Sequence, residues 1–493
     1  MKGRLGLMGI TLPLLAFAAA VQGQTPPGWH KISGLPEAMP YSGAADGLAG
    51  DRQNSYAWSM EVLGDYLYVG TTRNVFILMT QQVPWGASLI DFGNTGTKPV
   101  PLPTDMRGQI HRMSLTSGDW EFVYASPPVP GVVPLQGLDA GFRMMKTYTA
   151  AGREPVLYVG GSGVGACRLL ALDGTEAPVE IFRSVVPGAF LSIRAIAEHD
   201  GQLYWASEDA AGAALWVSHD PLGEYRLVPP RPFERVGLPA AWTAEGAEIV
   251  DLIGYNGWLH VYFLTKTQDP AGFGFWAAKV KKTAGAWVWK LIVGNAPGAR
   301  YPAGMGNPEN GVAVPFRFKN YVYVGTMDAA AFRLLNGITQ PAGSTPKVWG
   351  DYGMEIWRFD QRDCWERVMP APSLQGQAAA AARGFGNPNN KYMWRFGVLN
   401  GRLYVGTFDV GTGLQVLNPP FAPPAPIPNP LGFDLYSTRD GLNWKLESEN
   451  GFNDPWNYGA RSFVSDPATG DLYLGTANPF FGCQVWRRCS SPR

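Results

Sequence analysis

The sequence predicts an all-β fold, a β-propeller of seven four-stranded blades, and three observations carry that prediction. A short motif of the form Tyr-Val-Gly-Thr recurs along the chain. Each copy follows a run of small and apolar residues and precedes a further strand, often ending in Trp plus a cation. The composition holds 61 Gly, 42 Pro and 18 Trp, with 16% charged residues against roughly 25% in an ordinary soluble domain. Many turns and large flat side chains with few charges suit a long β chain with one large buried interior.

The motif marks the second strand of each blade. It reads Tyr68-Val69-Gly70-Thr71, Tyr158-Val159-Gly160-Gly161, Tyr204-Trp205-Ala206-Ser207, a degenerate Val261-Tyr262-Phe263, and then Tyr323-Val324-Gly325-Thr326, Tyr404-Val405-Gly406-Thr407 and Tyr473-Leu474-Gly475-Thr476. Turns such as His199-Asp200-Gly201-Gln202 and Leu399-Asn400-Gly401-Arg402 join it to the first strand, because Asn-Gly and Asp-Gly supply the positive φ that two-residue hairpins need. The third strand ends in Trp357-Arg358 or Trp486-Arg487, and the fourth carries Trp120, Trp365 or Trp444. The last unit lacks a fourth strand. Gly28-Trp29-His30-Lys31-Ile32 has the missing pattern, so the N-terminal strand is expected to complete it and close the ring.

Ahead of that strand lies a targeting segment. Lys2 and Arg4 precede the apolar run 5–20 and small residues ending in Gly23, the order of a secretory signal peptide. The expectation is an exported protein, periplasmic or secreted, with a signal peptide over 1–23, no stable membrane anchor after cleavage and one propeller domain over 24–493. Insertions are expected at about 81–108 and 417–431, the second rich in Pro. Forty basic residues balance forty acidic ones, leaving no basic excess for nucleic acid. Cys167, Cys364, Cys483 and Cys489 permit three disulfide pairings and lack zinc-site spacing.

The turn Ser437-Thr438-Arg439-Asp440-Gly441-Leu442-Asn443-Trp444 resembles the Asp-box of the sialidase-like superfamily of secreted propellers, one residue short of its usual Asp-to-Trp spacing. Residues 359–365 are a looser echo. The resemblance implies a propeller plan along the whole mature chain and a peripheral turn at Asp440. Sialidase-like enzymes gather arginines on a substrate carboxylate, but they have six blades and an Arg-Ile-Pro signature that this chain lacks, so their activity is not carried over.

Antiparallel pairing puts the loops that enter each blade on the same rim as the residues just past Tyr-Val-Gly-Thr. The stretches 304–310, 384–390 and 451–457 share the form Gly-x-x-x-Pro-x-Asn, ending in Asn310, Asn390 and Asn457. They are read either as a fixed loop shape or as matching amides around the axis. Just inside, Tyr392-Met393-Trp394-Arg395 aligns with Tyr458-Gly459-Ala460-Arg461, while Arg143 and Arg194 reach the same level from other blades. Such arginines either pair with carboxylates in a polar channel or converge on a carboxylate, sulfate or phosphate, which a guanidinium fork holds by two parallel hydrogen bonds.

Acids expected at this mouth are Glu208, Asp209, Asp328 and Asp409 past the motif, with Glu248, Asp251 and Glu309 from the entry side. A pair of them suits general acid–base chemistry, several suit calcium, and solvated loop acids are the plain alternative; no cofactor motif is fixed by spacing. Two classes of function follow. The first is an exported propeller that binds an anionic small molecule or acidic glycan at an Arg-lined mouth, as a hydrolase or lyase, with Arg395 and Arg461 on the anion, Tyr392 and Tyr458 beside them, and Asp251 or Glu248 as acid or base. The second is a non-catalytic propeller binding a glycan or protein.

Overall fold

The turn chemistry sets the strand pairing. Asp200 and Gly201 take φ of 51° and 65°, Asn256 and Gly257 49° and 71°, and Asn400 and Gly401 51° and 67°, the left-handed pair that a two-residue hairpin requires. The structure is a computed structural model that describes residues 27–33, 51–73, 105–132, 135–174, 177–240, 242, 248–264, 274–329, 353–371, 373–374, 378, 382–414, 430–479 and 481–490. It is almost entirely β. The signal segment, most of 81–108 and nearly all of 417–431 lie outside the described residues.

The strands follow one another as antiparallel meanders. After β1 (Trp29–Lys31) come β2 (Asn54–Leu63), β3 (Tyr66–Arg73), β4 (Gln109–Ser114) and β5 (Trp120–Ala125), then β6 (Gly141–Tyr148), β7 (Val156–Leu172) and β8 (Val179–Ser192). Two separate four-stranded sheets follow. They are β9 (Ile196–His199), β10 (Gln202–Asp209), β11 (Gly212–Ser218) and β12 (Glu234–Val236), and β13 (Glu248–Tyr255), β14 (Trp258–Leu264), β15 (Trp276–Thr283) and β16 (Ala286–Val293). The plan then resumes with β17 (Asn310–Phe318), β18 (Tyr321–Asp328), β19 (Ile356–Phe359) and β20 (Trp365–Met369). It continues through β21 (Asn390–Leu399), β22 (Arg402–Asp409), β23 (Leu435–Thr438) and β24 (Lys445–Ser448), and ends with β25 (Gly459–Ser465), β26 (Leu472–Ala477) and β27 (Val485–Arg488).

β1 pairs antiparallel with β27, Trp29 opposite Arg488 and Lys31 opposite Trp486. The Ile32 N–H donates to the Val485 carbonyl at 2.9 Å, and the Val485 N–H donates to Ser33 Oγ at 2.7 Å. Trp29 is 1% exposed and packs on Tyr404 and Phe452, so the strand is anchored by an indole as well as by its ladder.

Each residue of the repeated motif has a job in packing. Its Gly lets the first strand of the following unit lie flat against the second: a Cβ on Gly70 would sit 2.8 Å from Phe142 Cβ, and one on Gly475 2.6 Å from Ala57 Cβ. Its Tyr meets the cation of the third strand, as Arg112 Nη1 donates to Tyr68 Oη and Arg358 Nη1 to Tyr323 Oη, both at 3.3 Å. Its Thr closes a buried polar pin. The Thr326 hydroxyl donates to Asn310 Oδ1 (3.0 Å), and Asn310 Nδ2 donates to Glu355 Oε2 (3.0 Å), which also accepts from Trp357 Nε1 (3.0 Å). The same pin recurs as Asn457, Thr476, Gln484 and Trp486, and as Asn54, Thr71 and Gln109. Asn390 donates likewise to Asp434, which accepts from Tyr436. Burying these groups is tolerable because most of their polar atoms find partners, Asn390 Oδ1 and Asp434 Oδ1 being the exceptions.

The turn at 437–444 is shaped by Asp440, which accepts from the Leu442 and Asn443 N–H groups at 2.9 and 2.8 Å. Asp360 does the same for the Arg362 and Cys364 N–H groups, both at 2.9 Å. None of the four cysteines is joined to another in a disulfide. Among the described residues no helix is long and apolar enough to cross a membrane.

Candidate functional site

The inner strands carry β-bulges that re-aim single side chains. Between the residue opposite the motif's fourth position and the residue opposite its Gly, β2 inserts Trp58, β6 Arg143, β21 Trp394 and β25 Arg461. This corrects the alignment read from the sequence. Arg461 occupies the place of Trp394, not of Arg395, and Arg395 stands one residue on, opposite Gly406 as Ser462 stands opposite Gly475. The extra residues shift register without leaving a mark in the motif spacing.

The four bulged side chains meet in pairs across neighbouring units. The Arg461 guanidinium lies 5.1 Å from the Trp394 ring centre, and that of Arg143 lies 5.3 Å from Trp58. Tyr56 sits among them, in edge contact with Trp58, Trp394 and Tyr458. A cation over an aromatic face is attracted by the ring's negative centre, so the indoles hold the guanidiniums in place without neutralising them.

The four arginines expected at one level divide by partner. Arg395 Nη1 meets Asp251 Oδ2 at 3.2 Å, and Arg194 Nη1 meets Glu248 Oε1 at 3.3 Å. Burial works against the charge of Arg194, but Glu248 and the surrounding groups outweigh it and raise its pKa. Arg143 has Ser192 Oγ at 3.4 Å, and Arg461 Nε has no hydrogen-bond partner although Arg461 is 5% exposed. Burial, reinforced by Arg395 and the other arginines, pushes Arg461 well below the ordinary guanidinium range. Burial and Arg194 bring Arg143 down to about 9. Among the described residues these two cations thus form no ion pair, and Glu248, which acts on Arg143, is bonded to Arg194.

The carboxylates expected as acid and base are therefore already engaged. Asp251 is raised by burial, while Arg395 and the Leu252 N–H, which donates to Oδ1 at 2.9 Å, favour its charged form. Tyr392 lies beside the arginines and bridges to Met327, and Tyr458 packs on Tyr56, Trp394 and Phe408.

The asparagines proposed for ligand contact go elsewhere. Asn310, Asn390 and Asn457 are fully buried, and each Nδ2 donates to the carbonyl of the Gly six residues back, at 3.0, 3.0 and 2.9 Å. They lock their own entry loops, in which Gly304 and Met305, Gly384 and Phe385, and Gly451 and Phe452 all take positive φ. Of the two readings, the fixed loop shape is the one the contacts support. Asp328 and Asp409 are buried too, Asp328 accepting from the Gly353 N–H and Asp409 from the Thr412 N–H at the start of the short helix Val410–Leu414. Glu208 is buried and Asp209 pairs with Arg235 at 2.9 Å. Among the described residues no group of three or more His, Cys, Asp or Glu is placed to hold a metal ion.

Sequence reasoning missed Trp58 and Trp394 as site residues. The signal available was the aromatic residue of Tyr56-Ala57-Trp58 and Tyr392-Met393-Trp394, which reads as core until the bulge turns it toward the arginines.

No family model matches the chain, and no curated protein matches it. Among solved structures it is similar to a puromycin-hydrolyzing peptidase of Mycobacterium tuberculosis, at 14% identity and a TM-score of 0.48 over 93% of this chain and 54% of that one. It thus spans about half the length of that peptidase. It is also similar to the polysaccharide lyase Uly1 (8%, TM-score 0.43, 92% and 94% covered) and to the Dos1 propeller (10%, TM-score 0.43, 94% and 95% covered).

Proposed function

We propose that the chain is a seven-bladed propeller closed by β1, exported as its first 23 residues suggest, and that its arginine–indole cluster binds an anionic small molecule or the acidic group of a glycan. The observation that carries the reading is Arg461, buried beside Arg143 with its Nε unpartnered. An uncompensated buried charge costs about 3–5 kcal/mol. A carboxylate or sulfate seated between the two guanidiniums removes that cost, whereas at Arg395 and Arg194 it would compete with Asp251 and Glu248. The indoles on either side give a ligand apolar faces to rest on. Because both nearby carboxylates are held by arginines, the reading is one of binding.

Thermal denaturation with added sulfate and glucuronate tests it. Both anions should raise the Tm of the natural protein, by an increment that grows with concentration as binding linkage requires. Arg461→Gln should abolish that rise while leaving the unliganded Tm equal or higher, since the variant no longer buries an unpaired charge. An unchanged anion response in Arg461→Gln would sink the proposal, as would a natural protein indifferent to both anions.

A further inference from the structure

We infer that the protein carries a second and separate anion site, a groove for a linear anionic polysaccharide bearing sulfate or carboxylate groups, beside the seam where β1 joins β27. The groove encloses about 840 Å³, and its lining includes His30, Arg402, Arg439, Lys445, Arg487 and Arg488. It lies at the opposite ends of the strands from the entry loops: the 399–402 turn, the 439–445 turn and the last residues of β27 all belong to that rim.

The charges there do not balance. Glu447 is the carboxylate in the lining, and three cations share it: Lys445 Nζ at 3.4 Å, Arg488 Nη1 at 3.5 Å and Arg402 Nη1 at 3.9 Å. Arg487 is turned toward Asp471, with Nε donating to Oδ2 at 2.7 Å, and Arg439 is exposed. The chain as a whole is neutral, so this positive excess is local.

The layout selects the ligand. At Arg461 the cations converge, which suits one oxyanion. Here they are spread over the start of β22, the 439–445 turn and the end of β27, which suits anionic groups repeated along a chain. Single-stranded nucleic acid would need open aromatic faces for base stacking. Apart from the single imidazole of His30, the aromatic ring in the lining is Tyr404; it is buried, with the Arg488 guanidinium 5.4 Å from its ring centre, so the groove offers no run of stacking faces. A sulfated or uronic-acid polymer needs none.

Binding of a dextran sulfate oligomer, followed against uncharged dextran and oligothymidylate, tests the assignment. Dextran sulfate should bind and weaken steeply with added salt, because Arg439 and Lys445 are exposed and the other lining cations partly so, within reach of screening ions. Charge reversal at two exposed positions, Arg439→Glu with Lys445→Glu, should lower its affinity about tenfold or more, since each reversal replaces attraction by repulsion. The same change in charge elsewhere, Arg231→Glu with Lys290→Glu, should leave it within roughly twofold. Arg461→Gln should bind dextran sulfate normally at the groove, which separates this site from the axial one. The assignment is overturned if the Arg439/Lys445 variant binds like the natural protein, or if oligothymidylate occupies the groove as tightly as dextran sulfate.

Discussion

The strands β2–β8 and β17–β27 join β1 in one 19-stranded sheet system, whereas β9–β12 and β13–β16 stand as two sheets of their own. The joins are single backbone bridges from the second strand of one unit to the first strand of the next: Met327 to Tyr392, Phe408 to Gly459, Ala477 to Tyr56, and Thr72 to Gly141. All four start from second strands that carry the motif's Thr, and those units pin that Thr, or the strand end beside it, through Asn54, Asn310, Asn390 or Asn457. The β6 unit replaces the pin with an ion pair between Arg168 and Asp139, both almost fully buried. The β9 unit keeps a single polar echo, Trp216 Nε1 donating to Ser207 Oγ at 3.0 Å. In the β13 unit the corresponding strand carries buried Phe263 near its end, packed on Trp242.

The difference bears on the site. Three of the pinned units present a bulged side chain, Trp58, Trp394 and Arg461, and the ion-paired β6 unit presents Arg143, whereas the pinned β17 strand runs past its motif without that bulge. The apolar β13 unit presents Glu248 and Asp251 instead. The positive charge of the cluster is therefore uneven, with Arg395 and Arg194 paired to carboxylates and Arg143 and Arg461 resting on indoles instead.

Breaking the continuous sheet at its seam should have the largest effect. Removing residues through Ile32 takes away all of β1 and should destabilise the fold by more than Trp29→Ala alone, itself worth about 3–5 kcal/mol. Urea denaturation reads this directly, and a truncated protein with an unchanged midpoint would show that the pairing of β1 with β27 does not hold the fold.

A smaller contrast separates pinned from unpinned units. Asn310→Ala leaves Glu355 and Thr326 short of partners in the interior and should cost about 3 kcal/mol, whereas Ser207→Ala, which frees one indole N–H, should cost about 1 kcal/mol. Equal losses in the two variants would mean that the pins are not what distinguishes the two kinds of unit.

A further effect of modest size is a gain. Asp409 is fully buried, and burial, with Asp434 nearby, raises its pKa well above 3.8. A raised pKa means that the native state holds the proton more tightly than the unfolded chain. The group's contribution is thus intact below about pH 4 and is lost as pH rises through the native value. Asp409→Asn keeps an acceptor for the Thr412 N–H and removes the ionisation. It should be more stable than the natural protein by about 1–2 kcal/mol at pH 7, with the advantage shrinking toward zero near pH 4. An advantage independent of pH would show that ionisation of Asp409 is not its source.

Much of this architecture was legible in the sequence. The hairpins were readable because Asn-Gly and Asp-Gly act within four residues, and β1 because Trp29 repeats the pattern of Trp120 and Trp365. The three Gly-x-x-x-Pro-x-Asn loops were legible as loops, but the direction of their amides was not. A string of residues does not say that Asn457 reaches back to Gly451 and across to Gln484 rather than outward to a ligand.

The sequence by itself determined the strand repeat, the turns, the partner of the last strand and the presence of Arg143, Arg194, Arg395 and Arg461 near the starts of the first strands. Those features depend on contacts between near neighbours and on a pattern repeated along the chain. Only the tertiary structure decided which of those arginines is free. Arg395 finds Asp251 across 144 residues and Arg194 finds Glu248 across 54, while a one-residue bulge puts Arg461 over Trp394, where it forms no ion pair with a described residue. Charge pairing is settled by distance in space, and a bulge changes that distance without changing the motif.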